Sequence, residues 1–150
     1  MIEQLTSSRP IEILLVEDNA ADVRLTQEAL GEARILNHLH VVSDGVEALR
    51  LLRGEGRYAG APKIDIVLLD LNLPSMDGRQ VLTAIKADEA LKCTPVVVLT
   101  TSQREADILS SYKLSANCYI TKPVDFEKFL SVVKSIKEFW LSVVTLPNAQ

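Results

Sequence analysis

The sequence is poor in the residues that mark several specialised protein classes. It has only two cysteines, Cys93 and Cys118, in no metal or redox spacing, so we expect two reduced and mostly buried thiols. The net charge of −4 does not indicate a nucleic-acid binder. No apolar run approaches a membrane span, and residues 1–10 hold no signal-peptide core. These absences predict a cytoplasmic protein that binds neither membrane nor nucleic acid directly.

Length and composition predict one domain with one core. A chain of 150 residues has the usual size of a single domain, and 47% apolar residues can fill one core. We interpret residues 1–10 as a flexible tail, residues 11–146 as the domain with an extended C-terminal helix, and residues 147–150 as a second tail. Because only one helix follows the last predicted strand, we expect no additional DNA-binding module.

Short apolar segments with strand character alternate with segments of helical periodicity. The predicted strands are, in chain order, residues 11–16, 38–42, 64–70, 95–100 and 118–121. The predicted helices begin near residue 20 and after Asp44, Gly78, Ser102 and Asp125. This alternation predicts an α/β fold in which five helices cover both faces of a doubly wound, five-stranded parallel sheet.

The third predicted strand ends in an acid. A continuous apolar run from Ile66 to Leu69, typical of a strand buried on both faces, stops at Asp70. A carboxylate at the end of a buried strand is costly unless it is paired, hydrogen-bonded or bound to a metal ion. Since ligands of open α/β sheets bind at the carboxyl ends of the strands, Asp70 is a candidate site residue.

Polar side chains follow other predicted strands as well. Glu17 and Asp18 follow the first strand, Thr100 ends the fourth and Lys122 follows the fifth. Three carboxylates that meet at one edge repel one another, and a divalent cation with oxygen ligands, best Mg²⁺, would relieve that repulsion. An Asp carboxylate can attack phosphorus, and a metal, a lysine and a hydroxyl beside it fit phosphoryl transfer.

Four segments together resemble the receiver domain of two-component response regulators, the CheY-like family. They are Leu14-Leu15-Val16-Glu17-Asp18-Asn19, Leu69-Asp70-Leu71-Asn72-Leu73-Pro74 with Asp77-Gly78, Leu99-Thr100-Thr101, and Tyr119-Ile120-Thr121-Lys122-Pro123. The resemblance covers about residues 11 to 140. It implies a flavodoxin-like sheet of strand order 2-1-3-4-5, no output domain, and signalling by phosphorylation.

The resemblance also implies a role for each site residue. Asp70 would be the phosphoacceptor. Asp18 and Asp70 would bind Mg²⁺ directly, Glu17 through water, and Asn72 through its backbone carbonyl.

Three further residues would respond to the phosphoryl group. Thr100 and Tyr119 would form the switch pair, and Lys122 and Thr100 would contact the phosphoryl oxygens. The chain would then be a phosphorylation switch with self-catalysed transfer and autodephosphorylation, and not an enzyme with turnover.

A narrower resemblance suggests the kinase partner. The Thr-Thr-Ser at 100–102, the segment 117–122 and the Glu-Phe-Trp at 138–140 resemble the phytochrome-associated response regulators of cyanobacteria. This implies a light-regulated, phytochrome-type histidine kinase as the phosphodonor.

Two other functions are compatible with parts of the pattern. An aspartyl-phosphate phosphatase would also place a nucleophilic Asp after a strand, but it would want an acid where Asn72 stands. A degenerate receiver that only binds partners would typically have lost the acceptor, the acidic pair or the lysine, and this chain keeps all three.

The last predicted helix carries more apolar surface than a core-covering helix needs. One face of it would pack on the domain. The further apolar residues, Phe139 and Trp140 among them, could fold back onto the chain's own core, or a second face could bury against another copy in a twofold homodimer. The candidate dimer face comprises Val132, Ile136, Phe139, Trp140 and Val143.

Overall fold

The computed structural model describes residues 10–32, 36–73, 76–100, 118–121 and 131. The elements are, in chain order, β1 (Ile11–Val16), α1 (Ala20–Glu32), β2 (Asn37–Val42), α2 (Gly45–Arg53), a 3₁₀ turn (Gly56–Tyr58), β3 (Ile66–Asp70), α3 (Gly78–Ala87), β4 (Val96–Thr100) and β5 (Cys118–Thr121). Four predictions lie outside the described residues: the helix after Ser102, the helix after Asp125 except for residue 131, the candidate dimer face, and the two tails except for Pro10.

All described strands are parallel and form one sheet in the order β2-β1-β3-β4-β5. The predicted α/β class with a parallel sheet is therefore confirmed. Because β1 lies between β2 and β3, the chain crosses over β1 when it passes from β2 to β3. This crossover places the carboxyl ends of β1 and β3 side by side at the centre of the sheet.

The strands β1, β3 and β4 are buried on both faces, as their largely apolar sequences predict, whereas the edge strand β2 is mostly half-buried or exposed. Alternate residues of one strand enter two separate cores, since successive side chains point to opposite faces. Leu14 and Val16 pack with α2 and α3 in the larger core. Ile13 and Leu15 pack with Ala29 and Leu30 of α1 in the smaller one.

Most boundaries agree with the sequence prediction to within two residues. Asp44 caps α2 as predicted, since its Oδ1 accepts a hydrogen bond from the backbone N–H of Glu47 at 2.8 Å. The predicted strand from Ile64 begins only at Ile66. The Asp65 carboxylate accepts a hydrogen bond from the backbone N–H of Glu12 at 2.8 Å, and such a side-chain bond replaces a strand ladder contact.

One residue-level prediction is wrong. Cys93 was expected to be mostly buried, but its side chain is exposed. It lies in the turn between α3 and β4, where connecting segments run over the surface of the domain. Within the described residues, no helix is long and apolar enough to cross a membrane.

A carboxylate is buried where β1 pairs with the edge strand β2. Glu12 is only 8% exposed, and its two oxygens accept hydrogen bonds from His38 Nδ1 and His40 Nε2, each at 2.7 Å. Burial would raise the pKa of the Glu12 carboxyl, but the hydrogen bonds from His40 and His38 and the charge of the two imidazoles hold it below its usual 4.5.

We expect Glu12 to contribute to the loss of stability in acid. Because its pKa is lowered in the folded chain, its contribution is fully present above pH 4.5 and disappears as the pH falls through the folded value. Urea unfolding of the parent and of Glu12→Gln between pH 3 and pH 7 measures this effect. The difference in unfolding free energy should be largest at neutral pH and shrink in acid. A difference that stays constant with pH would contradict the expectation.

Candidate functional site

The sheet brings together two acidic segments that are distant in sequence. In the register of β1 with β3, Val16 lies beside Leu69. Glu17 and Asp70 are the residues that follow these two in the chain and are therefore close to each other. The last residue of β3, Asp70, pairs with Leu99 of β4. All three strands therefore end at one edge, as parallel strands of this fold do.

Glu17, Asp18 and Asp70 form a compact acidic cluster at this edge. One carboxylate oxygen from each residue can be chosen so that all three lie within 4.8 Å of one another. Glu17 and Asp70 are each 2% exposed, whereas Asp18 is exposed. The cluster is thus buried on the side of the sheet and open to solvent on the side of Asp18.

Backbone groups hold the two buried carboxylates in place. Glu17 Oε2 accepts a hydrogen bond from the N–H of Asn19 at 3.3 Å, and Asp70 Oδ1 accepts one from the N–H of Asn72 at 3.1 Å. Asn19 in turn caps α1, because its Oδ1 accepts from the N–H groups of Ala21 and Asp22. The first turn of α1 therefore fixes the loop that carries Glu17 and Asp18.

The donor atoms of the cluster fit a hard divalent cation. All three side chains offer carboxylate oxygen, and the exposed side of the cluster leaves room for water, as Mg²⁺ sites usually require. Two buried carboxylates at this spacing repel each other, and a bound cation offsets that repulsion. The acidic cluster would hold the ion through Glu17, Asp18 and Asp70.

The remaining predicted site residues are distributed around this edge. Thr100, the last residue of β4, is fully buried, and its backbone is in register with Thr121 of β5. Asn72 is exposed in the loop after β3. Tyr119 lies in β5 beside Val98. Lys122 lies outside the described residues, so its predicted contact stays a prediction.

Gly78 is a site residue whose role the sequence analysis missed. In the sequence analysis, Gly78 serves only as part of a motif and as the residue after which a helix begins. In the structure α3 begins so close to β3 that a Cβ on Gly78 would lie 2.6 Å from the backbone oxygen of Asp70 and 2.7 Å from Leu71 Cα. The Gly78 N–H also donates to the Leu71 carbonyl at 3.1 Å. A glycine is therefore required for the approach of α3 to the acidic cluster.

The histidine–glutamate cluster of Glu12, His38 and His40 was also missed. Its only signal in the sequence is that both histidines of the chain stand two residues apart in one strand, with one acid inside an otherwise apolar neighbouring strand. Strand periodicity places the histidines on one face. Only the pairing of β1 with β2 shows that Glu12 lies opposite His38, where its carboxylate contacts both rings.

Comparison with known proteins finds relatives that match nearly the whole chain. The chain is 48% identical over 143 residues to response regulator Rcp1 of Synechocystis sp., covering 95% of this chain and 97% of that protein. It is 52% identical to the phosphorylated cyanobacterial phytochrome response regulator RcpA, whose crystal structure superposes with a TM-score of 0.75 over 90% of this chain and 96% of RcpA.

A third comparison concerns the metal. The Mn²⁺-bound crystal structure of Rcp1 has a TM-score of 0.74 and 47% identity, and covers 88% of this chain and 95% of that one. Residues 13–134 match the protein family described as the response regulator receiver domain. With this match over most of its length, an aspartate at the tip of the central strand and two acids beside it, the chain belongs to the response regulator receiver family.

Proposed function

We propose that this chain is a single-domain response regulator that accepts a phosphoryl group onto Asp70 in the presence of Mg²⁺. The observation that carries the proposal is the acidic cluster, in which a buried Asp70 lies within reach of two further carboxylates. One similar protein is a phosphorylated phytochrome response regulator, which supports the same function.

The transfer is a displacement at phosphorus. A carboxylate oxygen of Asp70 attacks the phosphoryl group, one P–O bond forms, and the bond to the donor breaks, so the donor leaves with its electron pair. The N–H of Asn72, at 3.1 Å from Oδ1, orients the carboxylate of Asp70 for the attack. Bound Mg²⁺ would neutralise the charge of the carboxylates and of the incoming phosphoryl oxygens.

We assign the other residues of the site by the same proposal. Asp18 and Asp70 would bind Mg²⁺ directly, Glu17 would act through water, and Asn72 would add its backbone carbonyl. Thr100, buried at the end of the neighbouring strand, and Lys122 contact the phosphoryl group.

The phosphoryl group then shifts the population of two states of the chain. Movement of Thr100 toward it, followed by Tyr119, changes a protein-binding surface. The phosphodonor is a histidine kinase of the phytochrome type. The chain itself turns over no substrate beyond its own phosphorylation and dephosphorylation. Homodimerisation through the last predicted helix is part of the proposal and rests on sequence alone.

The test is intact-mass measurement after incubation with acetyl phosphate. We expect a single phosphoryl adduct on the parent that requires Mg²⁺ and disappears with a chelator. Asp18→Asn should lower Mg²⁺ affinity by about tenfold or more. Loss of a residue that only hydrogen-bonds to a metal ligand already lowers metal affinity by about this factor, and loss of a charged ligand should cost at least as much. The adduct should therefore need a higher Mg²⁺ concentration in this variant.

Calorimetry with Mg²⁺ alone separates binding from transfer. If the parent binds Mg²⁺ and still forms no adduct, the chain is a binding scaffold and the proposal fails. If Asp18→Asn has the affinity of the parent, Asp18 is not a ligand. Ala20→Ser, an exposed change in the first turn of α1, is a control that should leave both measurements unchanged.

A further inference from the structure

The histidine–glutamate cluster is the most distinctive group that the proposed function does not use. Its three side chains come from two neighbouring strands, with Glu12 of β1 directly opposite His38 of β2 and His40 two residues further along the same strand. These are the only two histidines among the 150 residues. Both ring systems converge on one carboxylate, each through a contact of 2.7 Å.

The backbone of Glu12 is anchored from the other side. Its N–H donates to Asp65 Oδ2 at 2.8 Å, and its carbonyl accepts from the N–H of Asp65 at 2.8 Å. This reciprocal pair joins β1 to the segment that enters β3. The backbone that carries the carboxylate is thus held on both sides, by β2 and by the segment that enters β3.

The accessibility of the three side chains is graded. The side chain of Glu12 is 10% exposed, that of His40 is 28% and that of His38 is 61%. A solute can therefore reach the imidazole of His38 directly, while Glu12 forms the inner wall. Such a gradient provides an entry path together with a partly desolvated carboxylate.

From this geometry we propose that Glu12, His38 and His40 form a second metal site, which binds a divalent transition-metal ion such as Zn²⁺. Two imidazole nitrogens and one carboxylate are a common ligand set for zinc, with water in the remaining position. Residues i and i+2 of a strand are roughly 6.6 Å apart, a separation that two histidine side chains bridge around one ion.

The metal replaces the two hydrogen bonds and displaces the proton from each ring nitrogen that binds it. An ionised carboxylate only accepts, so in the metal-free cluster His38 Nδ1 and His40 Nε2 carry the hydrogens. On binding, each of these protons passes to the other ring nitrogen where that nitrogen carries none, and otherwise to solvent, and the freed lone pair binds the ion. Metal–ligand distances of about 2.0–2.2 Å are shorter than the present contacts, so the ligands draw together around the ion.

The side chains must rotate to bind the ion. Among the described residues, the acidic cluster of Glu17, Asp18 and Asp70 is the one group that already brings three donor atoms within 4.8 Å. The histidine–glutamate cluster is wider, because each nitrogen faces a different oxygen of Glu12. The exposed ring of His38 has the space to turn toward His40.

The two sites differ in place and in ligand chemistry. Glu12 precedes Glu17 by five residues of extended chain, which separates the sites by roughly 16 Å along β1. The acidic cluster offers oxygen alone and suits Mg²⁺, whereas imidazole nitrogen favours Zn²⁺. Each ion can therefore be titrated in the presence of the other.

The experiment is calorimetric titration of the untagged full-length chain with Zn²⁺, in excess Mg²⁺ to occupy the acidic cluster. Cys93 is exposed, so Cys93→Ser serves as the background to exclude thiolate binding. We expect one Zn²⁺ per chain, with affinity reduced by about tenfold or more in Glu12→Gln, His38→Gln and His40→Gln. Asp18→Asn, which alters only the acidic cluster, should bind Zn²⁺ as the background does.

Nitrogen NMR of the imidazole rings provides a readout that does not depend on variants. Because the chain has only two histidines, His38 Nδ1 and His40 Nε2 can be followed individually, and both should shift on addition of Zn²⁺. The proposal is overturned if the chain does not bind Zn²⁺ stoichiometrically, or if the double variant His38→Gln with His40→Gln binds Zn²⁺ as tightly as the background. It is also overturned if the chemical shifts of the ring nitrogens do not change. Phosphorylation of Asp70 in a chain that fails this test would leave the proposed function intact.

Discussion

Asp70→Asn is expected to abolish formation of the phosphoryl adduct. The substitution keeps the shape of the side chain and the oxygen that accepts from the Asn72 N–H at 3.1 Å, but it removes the nucleophilic carboxylate. Intact mass after incubation with acetyl phosphate and Mg²⁺ should show no adduct on this variant under conditions that phosphorylate the parent completely. An adduct of equal yield would place the acceptor elsewhere in the chain.

The fold should tolerate this change well. Asp70 is one of three carboxylates that bring oxygens within 4.8 Å, and Asn removes one of these like charges while it keeps the acceptor for the Asn72 N–H. We therefore expect the free energy of unfolding of Asp70→Asn without Mg²⁺ to equal or exceed that of the parent. Loss of the adduct then reports on chemistry and not on unfolding.

Asp77→Asn is the matched control for Asp70→Asn. Asp77 is exposed at the start of α3, where its Oδ1 accepts from the Arg79 N–H at 2.6 Å and its own N–H donates to Gln80. Asn is as good a helix cap as Asp, so the substitution removes the same charge and keeps the helix end. This variant should be phosphorylated like the parent.

Gly78→Ala is expected to have the second large effect, on both stability and phosphorylation. A Cβ at this position would lie 2.6 Å from the Asp70 carbonyl oxygen and 2.7 Å from Leu71 Cα, both of them backbone atoms with little freedom to move. Relief of this overlap must push α3 away from β3, which we expect to cost about 1–3 kcal/mol of unfolding free energy. The displacement also moves the backbone that carries the acceptor, so adduct formation should slow.

Gly31→Ala is the control for Gly78→Ala. Gly31 is exposed in α1, and no atom lies within 4 Å of the position that a Cβ would take. Because Ala is the better helix former, this variant should be more stable than the parent by up to about 1 kcal/mol. Urea unfolding at fixed pH compares the two variants. Equal stabilities for Gly78→Ala and the parent would mean that α3 does not depend on the close contact.

Patterns of neighbouring residues carried much of the prediction. The apolar run that ends at Asp70, the cap at Asp44 and the alternation of strands with helices are all local in the sequence, and they indicated the α/β class and the end of the sheet where the site lies. Polar residues at strand ends are recognisable in this way because a parallel sheet places all such ends at one edge.

Features that depend on contacts between residues distant in the sequence were harder to predict. The onset of β3 shifted from Ile64 to Ile66 because the carboxylate of Asp65 bonds to the backbone of Glu12, a residue 53 positions away. Cys93 is apolar enough for a core, but it lies in a turn that leads away from the core. Neither outcome is visible in the residues nearby.

The sequence by itself therefore determined which segments form strands, which residues end them, and that an aspartate ends one of the continuously apolar strands. Periodicity and composition do not show which strands are neighbours; the family resemblance implied an order, and the tertiary structure shows it. The pairing of β1 with β3 brings Glu17 and Asp18 to Asp70, and the pairing of β1 with β2 brings Glu12 between two histidines. Hydrophobic periodicity specifies the face on which a side chain lies, but contacts between strands depend on sheet order and register, which the packing of the whole chain sets.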